Sequence, residues 1–297
     1  MWIYRGRSGQ RVVQDWCRQR LACWTVPHRH HVMRGGDPQD SHTAHAVICG
    51  EEHRDTLVVV PGRHANAAVL VPLLEVLATR YRVIAVDLPG EAGLGSGGRP
   101  NTERLRHYGE WFDQVLATAA TDREVTVLAH GFGATVALAA RPAPHVAGLV
   151  LLGPNGVVRP AVRPAAAAAL ARWRLAPTAA SAERLLARLG GRDFVAPHAL
   201  VEWMCLVGRH VAMSSQPPAD PELARAWAAT PCTVAVGEQD PLFGDGRLDR
   251  AVRSTLRTSV LTVPDVGALM PFEDPSAVLA VLRHHETVRP HPIRWAN

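Results

Sequence analysis

Short, almost uninterrupted apolar runs alternate along the chain with longer segments whose apolar residues recur every three or four positions. The runs "TLVVV" (56–60), "YRVIAV" (81–86), "EVTVLA" (124–129), "VAGLVLL" (146–152), "TVAVG" (233–237) and "SVLTV" (259–263) are rich in β-branched residues. Strands buried on both faces of a parallel sheet have this character. "AHAVIC" (44–49) reads as one more strand. Helical spacing fills the intervals: Leu105, Tyr108, Trp111, Phe112 and Val115 within 102–118, a small-residue helix at 132–141, and further helices near 246–256 and 275–285. A short helix after Pro61-Gly62 carries Pro72 in its first turn, where the missing N–H costs nothing. Ahead of the strands, Val13, Trp16, Cys17, Leu21 and Trp24 mark an amphipathic helix over 9–24 that lies on the main body. Strands alternating with helices predict a doubly covered parallel sheet, with ligands bound beyond the carboxyl ends of its strands.

The rhythm breaks between 156 and 229. This stretch holds an alanine run (165–169) and several helical patches but no strand, and it lies between two sheet strands. It is therefore expected to be an inserted helical cap. The domain organisation follows: residues 1–43 an N-terminal helix and extension, 44–155 with 230–290 the α/β core, and 156–229 the cap.

Composition narrows the function. Charged residues make up 20% of the 297 and the net charge is +5. The arginines that carry the positive charge are scattered rather than gathered on one face, so a nucleic-acid partner is not expected. No apolar run approaches the ~18–20 residues of a membrane span. The N-terminal stretch lacks the apolar centre of a signal peptide, and a cytoplasmic protein is expected. The five cysteines are widely spaced without metal-ligand patterns, so reduced thiols and no zinc site are expected. His28, His30 and His31 in "PHRHH" read as a solvated turn rather than a metal site. Gly93, Gly95 and Gly98 spell GxGxxG, but seven residues past the end of a strand and short of the next helix, so they read as a loop and no dinucleotide cofactor is expected.

In their order along the chain, five segments resemble the α/β-hydrolase fold over roughly residues 44–286. "VVVPGRHANA" resembles the strand and oxyanion loop, and "YRVIAVDLPG" the next strand with its D-x-P-G end. "LAHGFGATVALAA" (128–140) resembles the nucleophile elbow, "VGEQDP" the strand end that bears the catalytic acid, and "VPDVGALMPFEDP" the histidine loop. The resemblance implies a mostly parallel sheet with helices on both faces and an inserted cap. It also places roles. The acid position holds Asp240. The nucleophile position holds Gly131 and the histidine position Ala268, so two triad members are missing. Without Oγ at 131 no acyl-enzyme forms there, and without imidazole at 268 nothing activates a serine or a water. A glycine at the apex relaxes the strain that a Cβ imposes on the turn. The backbone donors of the oxyanion hole fall on Phe132 and on Arg63, which follows Gly62. Arg63 and His64 add a cation and a titratable group at the pocket mouth. His130, by the same resemblance, packs beneath the elbow, and with Asp240 it is a candidate catalytic group. In the cap, Trp203 and His210 are seven apart and share a helix face that either packs in the core or roofs the pocket.

Three functions fit. The first is a repurposed small-molecule lyase, cyclase or isomerase that uses the oxyanion donors, Asp240 and the pocket without a covalent intermediate. The second is a non-catalytic small-molecule binder or pseudoenzyme scaffold. The third is an esterase-type hydrolase working through another base such as His64 or His210, or an inactivated variant of an esterase. The first is preferred. The expected partner is a small-molecule ligand or substrate, with no cofactor, metal, nucleic acid or membrane; the oligomeric state is left open.

Overall fold

The computed structural model describes all residues except 35–42, 101, 121–122, 216, 218–219, 245 and 289–297. Parts of the expected N-terminal extension (35–42) and of the core's end (289–290) therefore lie outside the described residues. In chain order the elements are α1 (Arg7–Ala22), β1 (His28–Arg34), β2 (Thr43–Cys49), β3 (Thr56–Val60), α2 (Val71–Ala78), β4 (Arg82–Val86), α3 (Arg104–Ala119), β5 (Val125–His130), α4 (Phe132–Ala139), β6 (Val146–Leu152), α5 (Pro164–Leu175), α6 (Ala179–Leu189), α7 (His198–His210), α8 (Pro221–Ala226), β7 (Cys232–Gly237), α9 (Arg247–Thr255), β8 (Val260–Val263), α10 (Met270–Glu273) and α11 (Pro275–Val288).

The eight strands form one sheet in the order β1-β2-β4-β3-β5-β6-β7-β8. β1 pairs antiparallel with β2, and β2 with β4; every pairing from β4 to β8 is parallel. This is the α/β-hydrolase fold expected from the alternation of buried runs and helical spacings. The central strands β3 and β6 are buried along their whole length. Their alternating side chains enter two cores. Leu57, Val59, Val150 and Leu152 pack on one face, and Val58, Val60, Leu149 and Leu151 on the other. A period of two sends successive residues to opposite faces, and helices cover both, so neither face tolerates a polar residue. Among the described residues no helix is long and apolar enough to cross a membrane.

β3 sits between β4 and β5 and pairs with both, so the chain leaves β3 to one side for β4 and returns on the other for β5. Such a switch of direction opens a crevice at the carboxyl ends of the two strands. Gly62 follows β3 and Gly131 follows β5, and both stand at this crevice. The four helices α5–α8 occupy the stretch between β6 and β7.

The "PHRHH" segment is not the solvated turn that its polarity suggests. It opens edge strand β1, in register with β2 from His28↔Cys49 to Arg34↔Thr43. His30 Nδ1 lies 2.8 Å from Nε2 of buried His45, whose Nδ1 is 3.2 Å from Asp87. The histidines are thus cross-strand partners. Among the described residues no group of three or more His, Cys, Asp or Glu side chains is arranged to hold a metal.

Helix α1 packs on α7. The Trp16 and Trp203 rings lie 5.0 Å apart, and the His210 imidazole sits against Gly9, where a Cβ would come within 3.1 Å of it. The residues before α1 are threaded into the body: Trp2 bridges to Gly98 and Tyr4 to Val211.

Candidate functional site

β5 ends in a sharp turn that Gly131 makes possible. Its φ of 52° and ψ of −113° lie in a region that L-residues other than glycine occupy only under strain. The chain then enters α4 at Phe132, a helix of small residues. Those small residues let α4 approach the end of β3: a Cβ on Gly133 would fall 2.4 Å from the Val60 carbonyl oxygen. At Gly131 itself space is open. A Cβ there would meet only the Gly62 Cα at 3.9 Å and Asn155 Nδ2 at 4.0 Å. Gly131→Ala therefore introduces backbone strain without a steric clash. It should destabilise the fold by about 1–3 kcal/mol, read as a lowered denaturation midpoint. An unchanged midpoint would show that the turn is unstrained.

Gly62 and Gly131 thus face each other across the crevice, and the amides of Arg63 and Phe132 each lie one residue further on. Asn155 is a site neighbour that the sequence did not announce. Its amide N–H donates to the Gly131 carbonyl at 3.2 Å, and its side chain borders the open space. Leu152 also accepts the Gly131 N–H at 2.9 Å.

His130 lies beneath the turn. Its Nε2–H donates to the Ala268 carbonyl at 2.9 Å, which fixes the tautomer. Burial lowers its pKa, partly offset by that bond, so the ring is neutral at neutral pH. It also lines a small, mostly apolar cavity with Gly62, Leu128, Leu152 and Pro271. The loop bearing Ala268 is held by Glu273, whose carboxylate accepts the amides of Gly191 (2.7 Å), Gly267 (2.9 Å) and Leu269 (2.8 Å). One side chain thereby ties the α6–α7 connection to the loop after β8.

Asp240 follows β7 and is 5% exposed. One oxygen accepts the Leu242 amide at 2.7 Å, and the Phe243 amide also bonds the carboxylate. The other oxygen lies 3.6 Å from where a Cβ on Gly153 would sit, two residues before Asn155. Burial pushes the Asp240 pKa up to about 6 against the lowering effect of both amides, with a small contribution from the Glu273 charge. Relative to the ordinary carboxyl value of 3.8, this is a cost to the fold of about 3 kcal/mol once the group is ionised, at about 1.4 kcal/mol per unit. The folded state holds the proton more tightly than the unfolded one. The group's stabilising effect is complete below pH ~4 and lost as pH rises through about 6. Asp240→Asn should therefore match the parent near pH 4 and exceed it by roughly 2–3 kcal/mol at pH 8. Urea denaturation at the two pH values reads the difference; a variant shifted equally at both would show that ionising Asp240 carries no penalty in the fold.

The remaining sequence candidates divide. Arg63 and His64 stand next to Gly62. His64 has a φ of 61°, and its carbonyl accepts the indole N–H of Trp203. Burial, then the arginines around it, hold His64 well below the ordinary histidine range. Trp203 is fully buried between α1 and this loop. His210 shares Trp203's helix face, as the spacing of seven predicts, but that face packs on α1. The structure thus brings Trp203 to the loop after β3 and leaves His210 beside Gly9.

Comparison with known proteins agrees with this architecture. The Alpha/beta hydrolase family model matches residues 57–281. Among solved structures, the naproxen esterase (carboxylesterase NP) of Bacillus subtilis superposes with a TM-score of 0.74 at 15% identity, covering 91% of this chain and 95% of that one. Carboxylesterase CesB of Bacillus subtilis gives 0.72 at 14% identity over 94% and 98%. A protein of Oryza sativa subsp. japonica described as a probable 1-acylglycerol-3-phosphate O-acyltransferase is 32% identical over 113 residues, 36% of this chain. The chain spans only 27% of that protein's length. The structural likenesses establish the fold, and the family match establishes descent: this chain is a member of the α/β-hydrolase family.

Proposed function

We propose that the protein acts on a small carbonyl compound without forming a covalent intermediate. In this reading Gly131 stands at the nucleophile position and Ala268 at the histidine position. The amides of Arg63 and Phe132 hold a carbonyl oxygen as it gains charge, and Asp240 moves the proton. The observation that carries the reading is the Gly131 turn. It keeps the strained geometry of an elbow, leaves the space above it open, and offers no oxygen to attack with. Asp240 suits the second task. A carboxyl group with a pKa of about 6 changes protonation near the working pH, which is where a general acid or base is most effective. Buried amide donors aimed at a developing oxyanion supply the electrostatic part. In the simplest case Asp240 as carboxylate removes a proton from the carbon beside the carbonyl. The C–H electron pair then forms the enolate C=C bond, and the carbonyl oxygen takes the charge against the two amides. Enolate formation of this kind opens one class of lyase, cyclase and isomerase reactions.

The test pairs a covalent probe with an exchange reaction. A fluorophosphonate should not label the protein. A panel of enolisable ketones and esters in deuterium oxide should show protein-dependent deuterium uptake that rises through pH ~6 and is absent in Asp240→Asn. Stoichiometric labelling of a serine, or exchange that survives Asp240→Asn, overturns the proposal.

A further inference from the structure

Next to the oxyanion loop lies a group of charges that does not balance. Arg99 is 3% exposed and Glu91 3%. They pair through Nη2 and Oε1 at 3.0 Å, and Arg99 Nε donates to the Gly90 carbonyl at 3.0 Å. Arg63, from the loop after β3, and Arg104, from the first turn of α3, converge on the same region. Among the described residues neither pairs with a carboxylate. Arg63 donates to the Ser214 carbonyl, and Arg104 donates to the Ser215 carbonyl at 2.7 Å and reaches the Ser214 hydroxyl at 3.5 Å. Arg174 is close enough to act electrostatically on both Arg63 and His64. Arg63, Arg99 and Arg104 thus share one neighbourhood with a single paired carboxylate, Glu91, and His64, 3.8 Å from Glu91, is neutral.

Hydrogen-bonding capacity is unspent in the same place. Arg63 Nε, Arg99 Nη1, Arg104 Nε and His64 Nδ1 are buried with no partner among the described residues, and so is the second Glu91 oxygen. Buried guanidinium N–H groups are costly to leave unpaired. A planar fork of donors matches the two oxygens of a carboxylate.

We infer that Arg63, Arg99 and Arg104 form an anion subsite beside the crevice, which takes a carboxylate group carried by the ligand. Gly62 lies within van der Waals reach of the Gly131 apex. A ligand anchored here therefore presents its other end to that apex. The inference rests on the reading above only for what happens at that other end; the recognition itself needs no turnover. A carboxylate is favoured over a phosphate because Glu91 shares the arginines and would repel a second negative charge.

The test measures binding by thermal shift and isothermal titration at constant ionic strength. The probes are straight-chain monocarboxylates of two to eight carbons, their methyl esters, and inorganic phosphate. At least one carboxylate should bind tenfold or more tightly than its ester and than phosphate. Arg63→Gln and Arg104→Gln should each weaken it about tenfold. Both side chains are partly exposed, so these variants should fold. Glu91→Gln should tighten it, because Arg99 then lacks its one carboxylate. Equal binding of acids and esters, no binding by any acid, preference for phosphate, or affinity unmoved by both arginine variants overturns the inference. None of these outcomes depends on fluorophosphonate labelling or on Asp240, so the two proposals fail separately.

Discussion

Gly131→Ser combined with Ala268→His should convert the protein into a slow acyl-transfer catalyst. The open space over Gly131 accommodates the new Cβ, with Gly62 Cα at 3.9 Å and Asn155 Nδ2 at 4.0 Å. Asp240 already has the burial and the amide partners that hold a carboxylate in place. Neither substitution alone suffices, since a serine without a base is a weak nucleophile. With an activated ester the double variant should show a burst and a mass adduct on the introduced serine. With the proposed oxyanion donors in place, an imperfect triad should exceed water by a factor on the order of 10³, equivalent to about 4 kcal/mol of barrier. A folded double variant with no adduct would show that residues 131, 240 and 268 do not converge as proposed.

Glu273→Ala should be the most destabilising single side-chain truncation around the site, at about 3 kcal/mol. It strips the acceptor from three amides at once, and an unsatisfied buried donor costs about 1–3 kcal/mol, less where water can reach it. Glu273→Gln should recover part of the loss, because one of its two oxygens is replaced by a donor that faces donors. Urea unfolding reads both, as a shift in midpoint without a change in slope. Because Glu273 joins the α6–α7 connection to the loop of Ala268, amide exchange in 264–269 should also accelerate. A midpoint within 0.5 kcal/mol of the parent, the range typical of surface substitutions, would mean that solvent replaces the carboxylate.

The fold was legible because burial on both faces forces short β-branched apolar runs, which alternate in the chain with longer segments of helical spacing. "TLVVV" and "VAGLVLL" could be little else, and the helices between them announced themselves by spacing. "PHRHH" misled because an edge strand can carry polar residues on a face that pairs with side chains from its neighbour; the partner of His30 is His45, on the next strand. The turn at Gly131 was legible as a local motif between strand and helix. What surrounds it was not. Asn155 reaches the turn from the end of β6, and nothing about an isolated asparagine after a strand indicates its target. The role of Asp87 could be guessed from D-x-P-G as a turn residue, but its bonds to the amides of Ala67 and Leu94 tie the connection after β3 to the one after β4. The convergence of Arg63, Arg99 and Arg104 is hidden in the same way: in the sequence they are three arginines among many. Trp203 and His210 were correctly placed on one face, but the α1 surface that covers it is set by tertiary packing.

The threading of the first residues has a consequence for how the chain is made. Trp2 and Ile3 bind at Gly97–Gly98, and Ile3 and Tyr4 bind again at Val211–Ala212. During translation this segment emerges long before residues 97–98 and 211–212, and half of its docking site is built only after residue 212 has emerged. Contacts between residues so far apart in sequence are paid for late, after the loops between them have closed. Until then the apolar face of α1, including Val13, Cys17 and Leu21, has no complete surface to bury it. The nascent chain thus carries an exposed hydrophobic helix through most of its synthesis, which makes the interval before α7 docks the period when a chaperone would have most to bind.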